Sequence, residues 1–217
     1  MLRCGIVDKR FSPKSVWPNS LIPQELMMLI VRKLRSDDRD LLAKHLTRLD
    51  SYDRRCRFGA VISDDEIKRY CQRTVGKTSI SIGAFRDGEI RASVELQPDA
   101  GDHPKVAELA FSVAKDMQEM GIGSSLMRRA LIVAQNIGIQ KVVIVSMREN
   151  HKMKRLAQKF GGTSVIGRDE VISTVMLQRI SYASIIQEAI DDSIGVATTA
   201  LAPLLIRKMP AYNWISV

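Results

Sequence analysis

VAKDMQEMGIGSSLMRRALIVAQN, residues 113–136, decides how the rest of this chain is read. An apolar, strand-like run over residues 106–113 stops, a short polar connection follows, and Gly121 and Gly123 stand one residue apart. An amphipathic helix then begins. Leu126, Met127, Ala130, Leu131, Val133 and Ala134 recur at helical spacing, with Arg128, Arg129 and Gln135 between them. A strand, a glycine turn and a helix in that order form a place to hold phosphate. Glycine lets the backbone come close to a ligand, and the first N–H groups of a helix have no partner within it. The helix dipole also turns its positive end toward the anion.

Upstream, residues 26–34 (LMMLIVRKL) suit a first strand, after an irregular lead-in over residues 1–23 with three prolines. Ser36, Asp37 and Asp38 offer an N-cap for a helix carrying Leu41, Leu42, Leu46 and Leu49. His45 sits on or beside that stripe and reads as a packed or half-exposed side chain, without a second metal ligand nearby. Residues 52–58 read as a short basic connection. Ser63 with Glu66 is a capping box opening another helix. Residues 78–85 and 90–96 alternate in polarity around a turn at residues 86–89, which predicts a hairpin. Downstream, residues 141–147 (KVVIVSM) form a strand covered on both faces. A basic helix over residues 150–160 and two strands, 163–166 and 171–177, follow. Residues 181–194 return to helical period, and the remainder, through Pro203 and Pro210, reads as irregular and apolar.

The chain has 217 residues, 45% of them hydrophobic, which suits one domain with a real core. No apolar run reaches the ~18 residues of a membrane helix, and the start lacks a signal-peptide h-region. Cys4, Cys56 and Cys71 are odd in number and not at metal-ligand spacing. They read as free thiols of a cytoplasmic protein, with no metal. The net charge of +9 fits a basic surface, an anionic ligand or a nucleic acid. With 5% aromatic residues a single-strand stacking platform is disfavoured. Gly123-Ser124-Ser125 lacks the lysine of a Walker loop, and Leu126 stands where a dinucleotide fingerprint needs its third glycine.

Residues 105–162 resemble the GNAT N-acetyltransferase superfamily. Gln118-x-x-Gly121-x-Gly123 matches its Q/R-x-x-G-x-G/A signature, and Val113 lies five residues before the glutamine. Asn150 and Met153 follow the next strand as the family's N-x-x-M/A does. The stretch 106–123 looks closest to bacterial GNAT domains that acetylate proteins. The resemblance spans residues 24–180, leaving 181–217 as a C-terminal extension: a lid, a homodimer contact or a partner site. It implies an α/β fold with a mixed, mostly antiparallel sheet of about six to seven strands. Helices cover both faces, and a bulge splays the central strands.

It also implies acetyl-CoA as co-substrate. Glu119, Met120, Gly121, Ile122, Gly123 and Ser124 would wrap its pyrophosphate, with Gln118 at the head of the turn. Phe111, Ser112 and Val113 would run beside its pantetheine arm, and Asn150 would touch it from the next crossover. Acetyl would pass directly to a primary amine, a protein lysine or a small molecule. A lysine amine has a pKa near ~10.4, so exposing its lone pair at pH 7 costs about 4–5 kcal/mol and a base is useful. Glu108, mid-strand among apolar residues, is the candidate; similar bacterial acetyltransferases place a glutamate there. Glu95 is second, better read as a surface strand residue. Three departures stand out. Met120 replaces a frequent basic residue, Ala157 replaces a frequent tyrosine that protonates the leaving thiolate, and Thr163 replaces a frequent aromatic. The missing tyrosine and the apolar C-terminal tail motivate a rival reading, a GNAT-fold module that binds acyl-CoA without catalysis. The acceptor side falls on residues 48–73 and on the C-terminal strands, and Arg54, Arg55, Arg57, Lys68 and Arg69 suggest an acceptor with acidic parts.

Overall fold

A computed structural model describes residues 29–99, 105–178 and 181–206. The irregular lead-in and most of the loop expected over 98–104 lie outside the described residues. Among the described residues seven strands form one sheet: β1 (Ile30–Lys33), β2 (Ile80–Arg86), β3 (Glu89–Pro98), β4 (Val106–Val113), β5 (Lys141–Met147), β6 (Thr163–Ile166) and β7 (Glu170–Met176). Their order is β1-β2-β3-β4-β5-β7-β6, antiparallel throughout except for the parallel pair β4–β5.

Six helices join them: α1 (Arg39–Thr47), α2 (Ser51–Phe58), α3 (Asp64–Thr74), α4 (Ile122–Asn136), α5 (His151–Lys159) and α6 (Tyr182–Ile206). Strand alternation divides the sheet into two faces. Ala92, Val94, Leu96, Leu109, Ile144 and Val175 meet Leu126, Met127, Ala130 and Val133 of α4 and Ala157 of α5 in the main core. Burying each such Leu, Ile or Val stabilises by roughly 1.5–3 kcal/mol. The opposite face is tied to α1, α2 and α3 by polar side chains. His45 of α1 hydrogen-bonds Ser112 at 2.9 Å, and Ser112 bonds Ser93 at 2.8 Å. Arg57 of α2 and Tyr70 of α3 both hold Glu95. A second apolar cluster, including Leu46, Ile67, Cys71 and Ile90, lies between α1, α3 and the sheet.

Four expectations change. Residues 52–58 are helix α2, not a connection. The Asp50 carboxylate accepts the Asp53 N–H at 2.8 Å and caps it, and Gly59, at φ +71°, ends it. Ser36–Asp38 is a separate 3-10 turn, and Asp38 does not cap α1. Its carboxylate holds Arg32 (2.7 and 2.8 Å) and the Arg35 N–H (2.7 Å). The last helix does not stop at 194 but continues to Ile206, through Pro203. The central strands do splay, but without a bulge in β4: the β3–β4 ladder runs in unbroken register from Ala92↔Val113 to Pro98↔Ala107. The split arises because β5 turns away after three pairs with β4, the last being Glu108↔Val143. On its opposite edge β5 pairs with β7 over its whole length.

Among the described residues no helix is long and apolar enough to cross a membrane. No group of three or more His, Cys, Asp or Glu side chains among them is arranged to hold a metal.

Candidate active site

The split between β4 and β5 opens the backbone of β4. The Val106 carbonyl accepts from Asp99 and the Ala114 N–H donates to Arg91, so even-numbered residues of β4 aim their main-chain polar groups at β3. Leu109, Phe111 and Val113 therefore aim theirs the other way, and beyond the last pair, Glu108↔Val143, β5 no longer answers the main-chain groups of Phe111 and Val113. The side chain of Gln118 donates to one of them, the Val113 carbonyl, at 3.2 Å.

A cleft of about 700 Å³ occupies this gap. Phe111, Ser112 and Val113 form its strand side, and Gln118, Glu119, Gly121, Gly123 and Ser124 its turn. Asn150, Lys152, Met153, Arg155, Leu156 and Lys159 come from the α5 side. Glu119 (φ +65°) and Gly121 (φ +81°) are both left-handed, a backbone habit that gathers successive N–H groups toward an anion. α4 starts immediately after Gly121 and adds its own free N–H groups. A Cβ on Gly123 would meet only Leu156 Cδ2 at 3.7 Å, so the protein itself leaves that space to something else.

Several predicted binders serve the protein first. Gln118 Nε2 donates to Val113 and to Asp53 Oδ2 (3.2 Å), and its Oε1 accepts from Lys152 at 2.9 Å. It closes the turn. The Asn150 Oδ1 accepts the Met153 N–H at 3.1 Å and caps α5, from a position in the cleft wall. Lys152 reaches Glu119 at 3.0 Å, which draws that carboxyl below its usual range, and Lys159 donates to Ser124 Oγ at 3.0 Å. Met120 and Ile122 pack toward the core rather than lining the cleft.

Glu108 does not line the cleft. It is exposed on β4 at the vertex of the split, between Gln97 and Val143 in register. It shares with Ser112 the sheet face that carries α1–α3, about 13 Å along the strand at ~3.3 Å per residue. Glu95 is neither a surface residue nor in the cleft. It is 4% exposed, with Arg57 Nη2 at 2.5 Å and the Tyr70 hydroxyl on the same oxygen. Burial and the Glu95 charge push the Tyr70 hydroxyl up to about 12, so it remains a donor. Arg54 is also spent internally, on Asp64 and the carbonyls of Thr47 and Ile62. Of the five basic residues behind the acidic-acceptor reading, Arg55, Lys68 and Arg69 stand exposed.

Sequence reasoning missed the wall supplied by α2. Tyr52, Asp53 and Cys56 all line the cleft. Burial raises the Asp53 carboxyl, reinforced by the Asp50 charge, and burial raises the Cys56 thiol. The Tyr52 hydroxyl is raised chiefly by its hydrogen bond with Cys56. The Asp50 and Gly59 caps were the signal that could have revealed this helix. Ala157 is fully buried in the core and offers the cleft no acid.

An open strand edge, a glycine turn at a helix start and a basic α5 flank fit a ligand with an extended amide-bearing arm and phosphates at one end. The comparisons agree. The sequence profile of the acetyltransferase (GNAT) family matches residues 46–162, more than half of the chain. The GNAT domain of PAT from Streptomyces lividans superposes with a TM-score of 0.59 at 23% identity, covering 68% of this chain and 89% of that one. A Salmonella typhimurium structure that contains its cofactor acetyl-CoA gives 0.53 at 14% identity, over 70% and 96%. A mutant form of a cAMP-binding acyltransferase from Mycobacterium smegmatis gives 0.52 at 20% identity, over 81% of this chain and 51% of that one. No curated protein matches the sequence significantly. The GNAT fold binds acetyl-CoA, and since the profile runs from α1 through the glycine turn to the end of α5, the chain belongs to the acetyltransferase (GNAT) family.

Proposed function

We propose that this chain transfers acetyl from acetyl-CoA to a protein lysine, directly within a ternary complex. The observation that carries the reading is the split beginning at Glu108↔Val143. It places a carboxylate at the vertex, an unpaired strand edge beyond it and a basic glycine turn at its far end.

Acetyl-CoA supplies a thioester carbonyl activated toward amines. The N–H groups of Phe111 and Val113, aimed into the gap, suit its arm and the oxygen that gains charge on attack. The turn N–H groups, with Lys152, Arg155 and Lys159, suit its phosphates. Glu108 takes the proton from the acceptor amine, directly or through a water. Tyr52, in the cleft wall and neutral at pH 7, stands in for the tyrosine absent at position 157 and returns a proton to the leaving sulfur.

A protein acceptor is favoured over a small polar amine by the surface beside the vertex. Val145 of β5, Ile172 of β7 and Val165 of β6 lie opposite one another in register and are all exposed. They continue the face on which Glu108 stands, an apolar bed for chain flanking the lysine. The test is CoA release with lysine-bearing proteins and with free polyamines. We expect turnover with a protein acceptor, reduced at least about 100-fold in kcat by Glu108→Gln, the usual size of a general-base contribution. Full turnover by that variant would remove Glu108 from the mechanism.

A second reading, acyl-CoA binding without transfer, draws on the buried Ala157 and on the position of Glu108 outside the cleft wall. It predicts binding with no CoA release for any amine.

A further inference from the structure

Asp53 is a carboxylate in the wall of a cleft suited to phosphates. It stands on α2, which touches both β4 and β5, and it lines the cleft together with the glycine turn. Around it the cleft favours negative charge, with Lys152, Arg155 and Lys159 and the free N–H groups at the start of α4. Glu119, another carboxylate of that wall, is neutralised by Lys152 at 3.0 Å. Asp53 is treated differently. The cations near it go to other carboxylates, Lys152 to Glu119 and Lys115 to Asp50 at 3.1 Å. What reaches Asp53 is neutral: Gln118 Nε2, 3.2 Å from Oδ2. Burial raises its carboxyl, reinforced by the Asp50 charge, as expected of an anion short of donors.

The same Gln118 nitrogen alters what β4 offers a ligand. It also holds the Val113 carbonyl at 3.2 Å, and Val113 is the last residue of the strand. A ligand donor lying beside the end of β4 finds that carbonyl already taken. Asp53, on the other side of the same nitrogen, is an acceptor at the same level of the cleft. Acetyl-CoA brings such donors. Its arm carries amide N–H groups and, at the end nearest the phosphates, a hydroxyl.

We infer that Asp53 is a binding residue for this arm, accepting a hydrogen bond from its hydroxyl. The inference rests on the acetyl-CoA reading of the cleft. Phosphates seated on the turn N–H groups bring the hydroxyl-bearing end of the arm to the head of the turn, where Gln118 and Asp53 meet. The carboxylate gains the donor it lacks, and the hydroxyl leaves water without being left unpaired. A hydrogen bond to an ionised acceptor is stronger than one to a carbonyl, so Asp53 more than replaces the occupied Val113 oxygen. The bond also ties α2 to the cofactor, and with it Tyr52, the adjoining residue of the same wall.

The experiment is a calorimetric cycle on the full chain that crosses a protein change with a ligand change. The ligands are acetyl-CoA, its analogue without the arm hydroxyl, and adenosine 3′,5′-bisphosphate, which has no arm. Asp53→Ala should weaken acetyl-CoA at least about 10-fold, the usual weight of a hydrogen bond to a charged group. Removing the hydroxyl should weaken binding to the wild type by a similar factor and cost the Asp53→Ala variant nothing further. Adenosine 3′,5′-bisphosphate should bind the variant no more weakly than the wild type. Asp53→Asn keeps an oxygen acceptor and should show a smaller loss of the same pattern, should the alanine variant unfold. Losses that simply multiply between protein and ligand overturn the proposal. So does an equal loss for adenosine 3′,5′-bisphosphate, which would make Asp53 a prop for the turn through Gln118. A wild type indifferent to the hydroxyl overturns it without any variant. A wild type that ignores acetyl-CoA altogether would instead remove the cofactor reading beneath it.

Discussion

Gly121 and Gly123 share one turn for different reasons. Gly121 adopts φ +81°, where an L side chain costs about 1–2 kcal/mol, so Gly121→Ala should lower stability by that amount in urea melts. Gly123 has ordinary dihedrals and open space beyond, so Gly123→Ala should leave the melt unchanged within about 0.5 kcal/mol. His45 is a residue-scale pH sensor of stability. Burial, with the nearby Arg91, Arg48 and Arg57 charges, lowers it from 6.5 to about 4. The folded state therefore binds fewer protons than the unfolded one between those values. Its stabilising effect is complete above pH 6.5 and is lost as pH falls to about 4, a swing of roughly 3 kcal/mol. His45→Gln should flatten the pH dependence of denaturant unfolding across that window; an unchanged slope would assign it elsewhere. The glycine turn was legible because phosphate chemistry demands it locally. For His45 the sequence left packed and half-exposed open, since the partner that buries it, Ser112, lies 67 residues away.

Helix α2 shows why an element can be missed. Its eight residues, SYDRRCRF, have no apolar stripe, since the inward positions are arginines. Arg54 and Arg57 bury their guanidinium groups against carbonyls and carboxylates instead of bringing apolar surface. A reading that equates charge with solvent sees a loop. Glu95 was misjudged for the same cause, because its partner sits on the unforeseen helix. Arg57→Met leaves the Glu95 carboxylate buried without its cation and should destabilise by about 3–5 kcal/mol. Arg57→Met combined with Glu95→Leu should recover most of that loss. If the single change proved silent in thermal melts, the pair would not be what holds α2 over the cleft. For α6 the helical period was visible in its first half, while the prolines concealed the remainder. Which side faces the domain depends on its ion-pair partners Lys33 and Arg129, far away in sequence.

At the scale of the molecule, seven strands share one sheet that divides in the middle. Strand and helix order, α2 apart, was legible from polarity patterns, and the split was expected from resemblance. Its cause differs from that expectation, since register between β4 and β5 simply ends at Glu108↔Val143. No local pattern in β4 announces this, because it depends on where β5 turns away from it. The gap, the glycine turn and the basic flank of α5 make one claim together: the cleft is built for acetyl-CoA. Calorimetric titration tests it most directly, using acetyl-CoA against adenosine diphosphate and NAD as controls. The account predicts saturable micromolar binding of acetyl-CoA, much weaker responses to the controls, and loss of binding in a folded Gly123→Asp variant. An absence of heat with acetyl-CoA, or an equal response to NAD, would contradict it.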